Sequence, residues 1–186
     1  MAFVTVRPTS LDIAIADEVA DHATPGTEKA AEALTWSADE HVLVALAAAS
    51  WFYVQFRRPA ARLLADHVLA VSVMTAVLPH LLKSLFDQTR PDRLTVRGHY
   101  RGVPISGRRN DAFPSGHALH MGALASAAGL LPARRRRTAR ALAVGLSLTR
   151  IALLAHWSTD VLAGFALGIG VERLLRPWTM ARRTRR

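Results

Sequence analysis

Apolar residues fall into five runs, at about 42 to 56 (VLVALAAASWFYVQF), 63 to 82 (LLADHVLAVSVMTAVLPHLL), 118 to 133, 141 to 155 and 160 to 175, with charged stretches between them. A helix needs roughly 20 mostly apolar residues to span a bilayer. Several runs reach that length only with flanking polar residues or an internal charge such as Asp66 or Arg150. Each run alone is ambiguous, but five of them alternating with charged loops predict an all-α, integral membrane helical bundle with about five transmembrane helices. Residues 1 to 40 have no long apolar run. There LDIAIADEVADH and EKAAEALTW place small apolar residues at helical spacing on either side of Pro25 and Gly26, which predicts an amphipathic helix pair lying on the membrane. Residues 92 to 110 carry turn residues without a sustained period and read as a loop over whatever lies beneath. The expected organisation is an N-terminal amphipathic segment over 1–40, a membrane-embedded domain over 41–176 and a basic tail over 177–186.

Composition narrows this picture. A chain of 186 residues that is 51% hydrophobic holds one folding unit and is too apolar to be disordered. With no cysteine, disulfide frameworks and thiolate metal sites are excluded. Acidic residues near the N-terminus, where a secretory signal would be basic and then apolar, predict no cleavable signal.

Charge adds an orientation. Residues 1 to 40 carry 8 acidic and 2 basic side chains, whereas the remainder carries 6 and 22. If the chain crosses five times, one side receives 57–62, 134–140 and the tail from 173, with 14 arginines and no acid. The other side receives 1–40 and 83–116, with 9 basic and 11 acidic residues. The excess of arginine marks the first side as cytoplasmic, so the N-terminus is expected outside and the C-terminus inside. The block Arg134 to Arg137 sits in a tight turn without aromatic interleaving or a groove-reading helix, so no nucleic acid partner is expected.

Three clusters carry chemistry, and all fall on the expected outer side: Lys83 with Arg90 and Pro91, Pro114-Ser115-Gly116-His117, and Arg150 with His156 and Asp160. His156 and Asp160 are four apart, close enough for a carboxylate to set an imidazole's tautomer and leave its other nitrogen as base or nucleophile. The alternative for Asp160 is a cap on the fifth apolar helix. Arg150 is six residues before His156, about 240° away on an ideal helix, so a helix break is needed for both to face one ligand. An arginine within an apolar run binds an anion, lines a cavity or pairs, here with Asp66 as the competing partner. Pro-Ser-Gly-His opens an apolar helix, whose exposed N–H groups and dipole make an anion site that glycine lets a ligand approach closely. Ser115 adds a hydroxyl, and His117 in the first turn is placed to protonate a leaving oxygen; the plainer reading is a serine cap followed by a core histidine. Lys83 and Arg90 are seven apart, and Pro91 ends their helix, so both cations can reach one phosphate unless they only snorkel at the interface. Gly164 and Gly168 form a GxxxG pattern, expected to serve close helix packing.

Together, Lys83-x6-Arg90-Pro91, Pro114-Ser115-Gly116-His117 and Thr149-Arg150-x5-His156-x3-Asp160 resemble the three motifs of the type 2 phosphatidic acid phosphatase superfamily in order and spacing. The resemblance covers roughly residues 40 to 175. It departs at Thr149, where the family usually has serine, and at Ala155, where glycine commonly precedes the histidine. The resemblance implies a membrane-embedded lipid phosphatase that needs no metal or other cofactor. In it His156 attacks phosphorus to give a phosphohistidine, Asp160 orients His156, and His117 protonates the leaving group. Lys83, Arg90, Ser115, Gly116 and Arg150 would hold the phosphoryl oxygens. Implied partners are the bilayer and a lipid phosphate or diphosphate of phosphatidate, phosphatidylglycerophosphate or isoprenyl type. Competing readings are a vanadate site as in haloperoxidases of the same superfamily and a non-catalytic lipid-phosphate binding or transport protein. A metal site of His117, His120, His156 and Asp160 is disfavoured because Lys83, Arg90 and Arg150 would repel a cation.

Overall fold

The structure, a computed structural model, describes residues 4–91 and 110–181. Local sequence sets the helix starts. Thr9 opens α1 (Ser10–His22) with a capping box: its hydroxyl accepts the Asp12 N–H while the Asp12 carboxylate accepts the Thr9 N–H. Thr24, followed by Pro25 at the first helical position, opens α2 (Pro25–Ser37). Asp39 caps α3 (Glu40–Arg57) by accepting from the His41 and Val42 N–H groups. A single 3-10 turn, Pro59–Ala61, leads into α4 (Arg62–Lys83). Then follow α5 (Gly116–Ala127), α6 (Ala133–Ala152) and α7 (Ser158–Met180). Each apolar run thus forms the body of one helix from α3 to α7. The boundary expected at residue 176 falls inside α7; residues 182–186 and nearly all of the loop expected over 92–110 lie outside the described residues. A two-residue parallel pairing of β1 (Val4–Thr5) with β2 (Phe86–Asp87) ties the N-terminus to the segment after α4. No residue pattern announces it, because two-residue strands carry no readable period.

Helix α5 is the centre of the bundle, with ten of its twelve residues buried, and α7 lies against it at backbone distance. A Cβ on Gly164 would meet the Ser115 carbonyl, one on Gly168 the Leu119 carbonyl, and one on Gly122 the Phe165 carbonyl. The GxxxG pair is therefore an internal packing device in which small residues let two helix backbones touch. Pro79 of α4 packs on the start of α5, where a Cβ on Gly116 would come within 3.0 Å of the proline ring. At the far end of α7, the fully buried Glu172 accepts from Ser126 at 2.6 Å and Arg176 at 2.8 Å and contacts His67 Nε2 at 2.9 Å, so α4, α5 and α7 share one satisfied polar cluster. Asp66, the charge inside the second run, is likewise engaged: Trp51 and Gln55 of α3 donate to it at 2.7 and 2.9 Å.

The outward faces are apolar. Phe52, Phe56, Leu81, Leu142, Leu162 and Leu174 are all exposed, as is Trp178 near the end of α7. One stretch among the described residues, Pro59–Lys83, is long and apolar enough to cross a membrane by length and composition, and only 22% of its most apolar window is buried inside the protein. The five-span expectation is not met on those criteria. Helix α5 has only 12 residues, and the first two turns of α6 are rich in arginine.

The glycine contacts make a stability prediction. Gly168→Ala drives a methyl into the Leu119 carbonyl and is expected to cost about 1–3 kcal/mol, the usual range for overpacking. Gly145→Ala meets open space and is expected to be neutral or slightly stabilising. Thermal unfolding of the two variants in the same detergent checks this.

Candidate active site

The helix break required between Arg150 and His156 is present. Helix α6 ends at Ala152, and Leu154 adopts φ 51°, a left-handed conformation that L-residues other than glycine occupy at a cost of about 1–2 kcal/mol. Packing and hydrogen bonds hold it: Leu154 is 2% exposed, and the Ala155 and His156 N–H groups both donate to the Arg150 carbonyl, at 3.0 and 3.2 Å. The break thus lies at residues 153–157 and takes in His156 and Trp157. It folds the chain back so that His156 sits at the foot of α7 while Arg150 remains on α6.

His156 is buried, and its Nδ1 lies 2.7 Å from the Ala112 carbonyl. A carbonyl only accepts, so Nδ1 carries the proton and Nε2 keeps its lone pair. Burial first, then the guanidiniums of Arg90 and Arg150 and the Lys83 ammonium, hold the imidazole well below its ordinary pKa, against a smaller opposing effect of the Ala112 carbonyl. The ring is neutral at physiological pH with a nucleophilic nitrogen among three cations. Asp160 acts differently from the simple expectation. Its Oδ2 is 3.7 Å from His156 Nδ1, beyond hydrogen-bonding range, and accepts the Trp157 N–H at 2.9 Å. Asp160 is therefore a helix cap as well as the carboxyl group beside His156, while the backbone of Ala112 orients the ring.

The cations are arranged by an acid that motif spacing does not reveal. Asp111 accepts from Arg90 Nη2 at 2.8 Å and Nε at 3.1 Å, and pairs with Lys83 Nζ at 3.5 Å. Arg90 Nη1 also donates to the Ala155 carbonyl at 2.9 Å, so the first cluster is clamped directly onto the residue before His156. The Trp157 indole adds a second clamp by donating to the Thr89 carbonyl at 2.8 Å. The Arg150 Nε is buried without a hydrogen-bond partner, and Asp66 is occupied elsewhere, so the alternative Arg150–Asp66 pairing does not form. Arg150 is the common electrostatic neighbour of His117 and His156.

Ser115 caps α5, with its hydroxyl accepting from the Ala118 N–H at 3.4 Å, and its own N–H donates to the Asp160 carbonyl at 3.2 Å. That bond joins the second cluster to the third. Gly116 and His117 occupy the first turn of α5, where the unsatisfied helix-start N–H groups point along the axis out of the N-terminal end and attract anions. The His117 Nε2 is buried without a protein partner. The Thr149 hydroxyl lies 2.6 Å from that of Thr35, so the residue that departs from the family pattern ties α6 to α2. The structure thus brings all eight residues singled out from sequence to the ends of α4, α5, α6 and α7 that converge on one side of the bundle. Sequence reasoning missed Asp111 and the Ala112 carbonyl. Asking which acid balances three converging cations points to Asp111, one of three acids in 83–116, but nothing in a side-chain motif marks a backbone acceptor. A cavity of about 320 Å³ lined by Ser126, Arg140, Phe165 and Arg173 lies toward the opposite helix ends and contains none of these residues. Among the described residues, no group of three or more His, Asp or Glu side chains is placed to hold a metal ion.

The profile of the PAP2 superfamily matches residues 64–184. The chain belongs to the PAP2 superfamily. Two relatives, each named lipid A 1-phosphatase, from Rhizobium etli and Rhizobium johnstonii, are 38% identical to it over 97 residues. That is 52% of this chain and 42% and 40% of theirs, so the match spans about two fifths of either relative. Two crystal structures share the fold. A transmembrane PAP2-type phosphatidylglycerolphosphate phosphatase from Bacillus subtilis superposes with a TM-score of 0.69 at 20% identity, over 95% of this chain and 88% of that one. Aquifex aeolicus LpxE gives 0.68 at 17% identity, over 92% and 98%. The bundle described above is therefore the PAP2 fold.

Removing the acid that groups the cations tests this geometry. Asp111→Ala removes the carboxylate that pairs with the 3% exposed Arg90 and is expected to destabilise the PAP2 bundle by about 3 kcal/mol, the low end of the usual cost of breaking a buried ion pair from one side. Asp111→Asn, which keeps an acceptor, is expected to cost less. Chemical or thermal unfolding of both variants is the measurement.

Proposed function

We propose that this PAP2 protein is a membrane-embedded, metal-independent phosphatase that hydrolyses a lipid phosphate or diphosphate through a phosphohistidine. The observation that carries the reading is His156: buried, held as the Nδ1–H tautomer by Ala112, and surrounded by Lys83, Arg90 and Arg150. A neutral imidazole with a free Nε2 lone pair in a cationic cradle suits attack on a phosphoryl dianion, because the cations bind the oxygens without protonating the nucleophile.

In the first step the Nε2 lone pair forms a bond to phosphorus while the bond from phosphorus to the lipid oxygen breaks. His117 gives its proton to that oxygen, and the bound phosphate supplies the negative charge that pairs with its protonated form beforehand. Lys83, Arg90, Arg150, the Ser115 hydroxyl and the first-turn N–H of Gly116 take the equatorial oxygens, on which charge is spread in the transition state. In the second step water attacks the phosphohistidine, His117 recovers a proton from it, and inorganic phosphate leaves with His156 restored. The Asp160 carboxylate, 3.7 Å from Nδ1, offsets the positive charge that builds on the ring when Nε2 bonds to phosphorus.

The exposed apolar faces of α3, α4, α6 and α7 support a bilayer setting, with the site on the extracytoplasmic face and the arginine-rich turns and tail on the cytoplasmic face. The names of the sequence relatives place lipid A carrying its 1-phosphate first among the substrates to try, beside phosphatidate, phosphatidylglycerophosphate and isoprenyl mono- and diphosphates.

The decisive assay is release of inorganic phosphate from that panel in detergent with EDTA. Wild type is expected to release phosphate undiminished by the chelator, and His156→Ala to release none. Asp160→Asn is expected to lower kcat more than it raises KM, because it acts on the nucleophile and not on the phosphate oxygens. Loss of activity in EDTA that a divalent cation restores would overturn the metal-independent mechanism, and silence across the panel would favour a lipid-phosphate binder. The pH profile gives a second check. Because His156 titrates well below the ordinary 6.5, its protonation is expected to cut kcat/KM only at pH values clearly under 6.5.

A further inference from the structure

Residues 1–40 lie outside the stretch matched by the PAP2 profile, yet their helices are built into the site. Helix α1 buries Ala16 against Ala112, Leu154 and Trp157, which are the residue whose carbonyl holds His156, the left-handed residue of the loop, and the residue after His156. Helix α2 buries Ala31 against Leu153 and Ala155. The polar centre of this contact is Asp12, 1% exposed, whose carboxylate accepts five hydrogen bonds. Two come from Thr9, the cap of its own helix. The other three come from the first turn of α7: the Ser158 hydroxyl at 2.6 Å, the Thr159 N–H at 2.9 Å and the Thr159 hydroxyl at 2.8 Å.

A helix start has N–H groups without intrahelical partners, and α7 satisfies them with two carboxylates. Its own Asp160 takes the Trp157 N–H, and Asp12, some 147 positions away in sequence, takes the Thr159 N–H. His156 immediately precedes that doubly capped turn, so the direction in which its ring leaves the backbone depends on where the turn is held. Burial would push the Asp12 carboxyl up, but the bonds from Ser158, Thr9 and Thr159 hold it down at about 2, so it is a permanent anion at any working pH.

We propose that Asp12 is a positioning residue for the reaction: by capping α7 from the N-terminal segment, ahead of the stretch that the family profile matches, it fixes the register of the 153–157 loop and holds the His156 Nδ1–H on the Ala112 carbonyl. The N-terminal segment is on this view a working part of the site, beyond any role at the membrane surface. The kinetic half of the proposal rests on the phosphatase reading above; the geometric half does not.

The test uses the full chain in detergent, as wild type, Asp12→Ala, Asp12→Asn and the shape-conserving double variant Ser158→Ala with Thr159→Val. The double variant removes two donors while leaving Asp12 in place, and so guards against a misfolded Asp12 variant. Phosphate release from phosphatidate and lipid A gives kcat and KM. The 15N spectrum of labelled histidines, with His156 identified by its loss in His156→Ala, reports the tautomer without turnover. Asp12→Ala is expected to lose kcat on the order of a hundredfold, the scale of a small misplacement of a reacting group, with KM little changed. Its His156 signal is expected to move from one tautomer to a mixture. Asp12→Asn, which keeps one accepting oxygen, and the double variant are expected to fall between. Unchanged kcat and an unchanged His156 signal in folded variants would overturn the proposal, as would a drop in melting temperature with kcat intact. If wild type is silent on both lipids, the phosphatase reading fails, while a His156 signal altered in the variants still supports positioning by Asp12 and an unaltered one refutes it.

Discussion

Backbone contact between α5 and α7 is the constraint from which the site follows. Gly122 on α5 and Gly164 and Gly168 on α7 remove the side chains that would separate the two helices, and a Cβ at any of the three would enter a carbonyl of the partner. At this distance the foot of α7 reaches the start of α5, and the Ser115 N–H meets the Asp160 carbonyl. Two motifs more than forty residues apart thereby share one hydrogen bond. Helix association among apolar surfaces depends on such close packing, because a hydrocarbon-like setting supplies little hydrophobic drive between helices. At the opposite end, the Glu172 cluster with Ser126, His67 and Arg176 fastens the same two helices and α4 by charge-assisted bonds.

Around that scaffold the electrostatics are deliberately unbalanced. Lys83, Arg90 and Arg150 converge around Asp111, which groups Arg90 with Lys83, while among the described residues the Arg150 Nε is buried without a hydrogen-bond partner. Residual positive charge in a buried place is unstable unless an anion completes it, and it is the arrangement that favours a phosphoryl group over a neutral ligand. Burial first, and then the same charge, keep His156 unprotonated. On the proposed mechanism, one set of cations would therefore both attract the electrophile and preserve the nucleophile.

Much of the secondary structure was legible without coordinates. Helices α3 to α7 follow the five apolar runs, α1 and α2 follow the two short periodic stretches, and Pro25 marks the break between them because Thr24 and a proline at the first helical position are strong start signals. Where reading by pattern went astray, the cause was length: a run scored by apolarity does not show that α5 ends after 12 residues in a 3-10 turn, or that arginines occupy the first two turns of α6. The role expected of Asp160 shows a different limit. Spacing at i, i+4 places a carboxylate near an imidazole, but whether 3.7 Å becomes a hydrogen bond depends on competitors, and here the Trp157 N–H takes one oxygen while Ala112 takes the ring.

The amino-acid sequence by itself determined the residue types, their order and their periodicity: apolar helices, caps, an arginine-rich side and eight chemically apt residues in three clusters. Those properties are local, because propensity, capping and charge counting act within a few residues. Only the tertiary structure decided that the Ala112 carbonyl sets the tautomer of His156, that Asp111 gathers the cations, that Leu154 turns the loop through a left-handed backbone, and that Asp12 caps a helix beginning at residue 158. Each of these is a contact between distant segments or with the backbone. A backbone carbonyl is the same group at every position, so no side-chain pattern marks the one that a histidine will find; only the packing of α1, α5 and α7 brings it there.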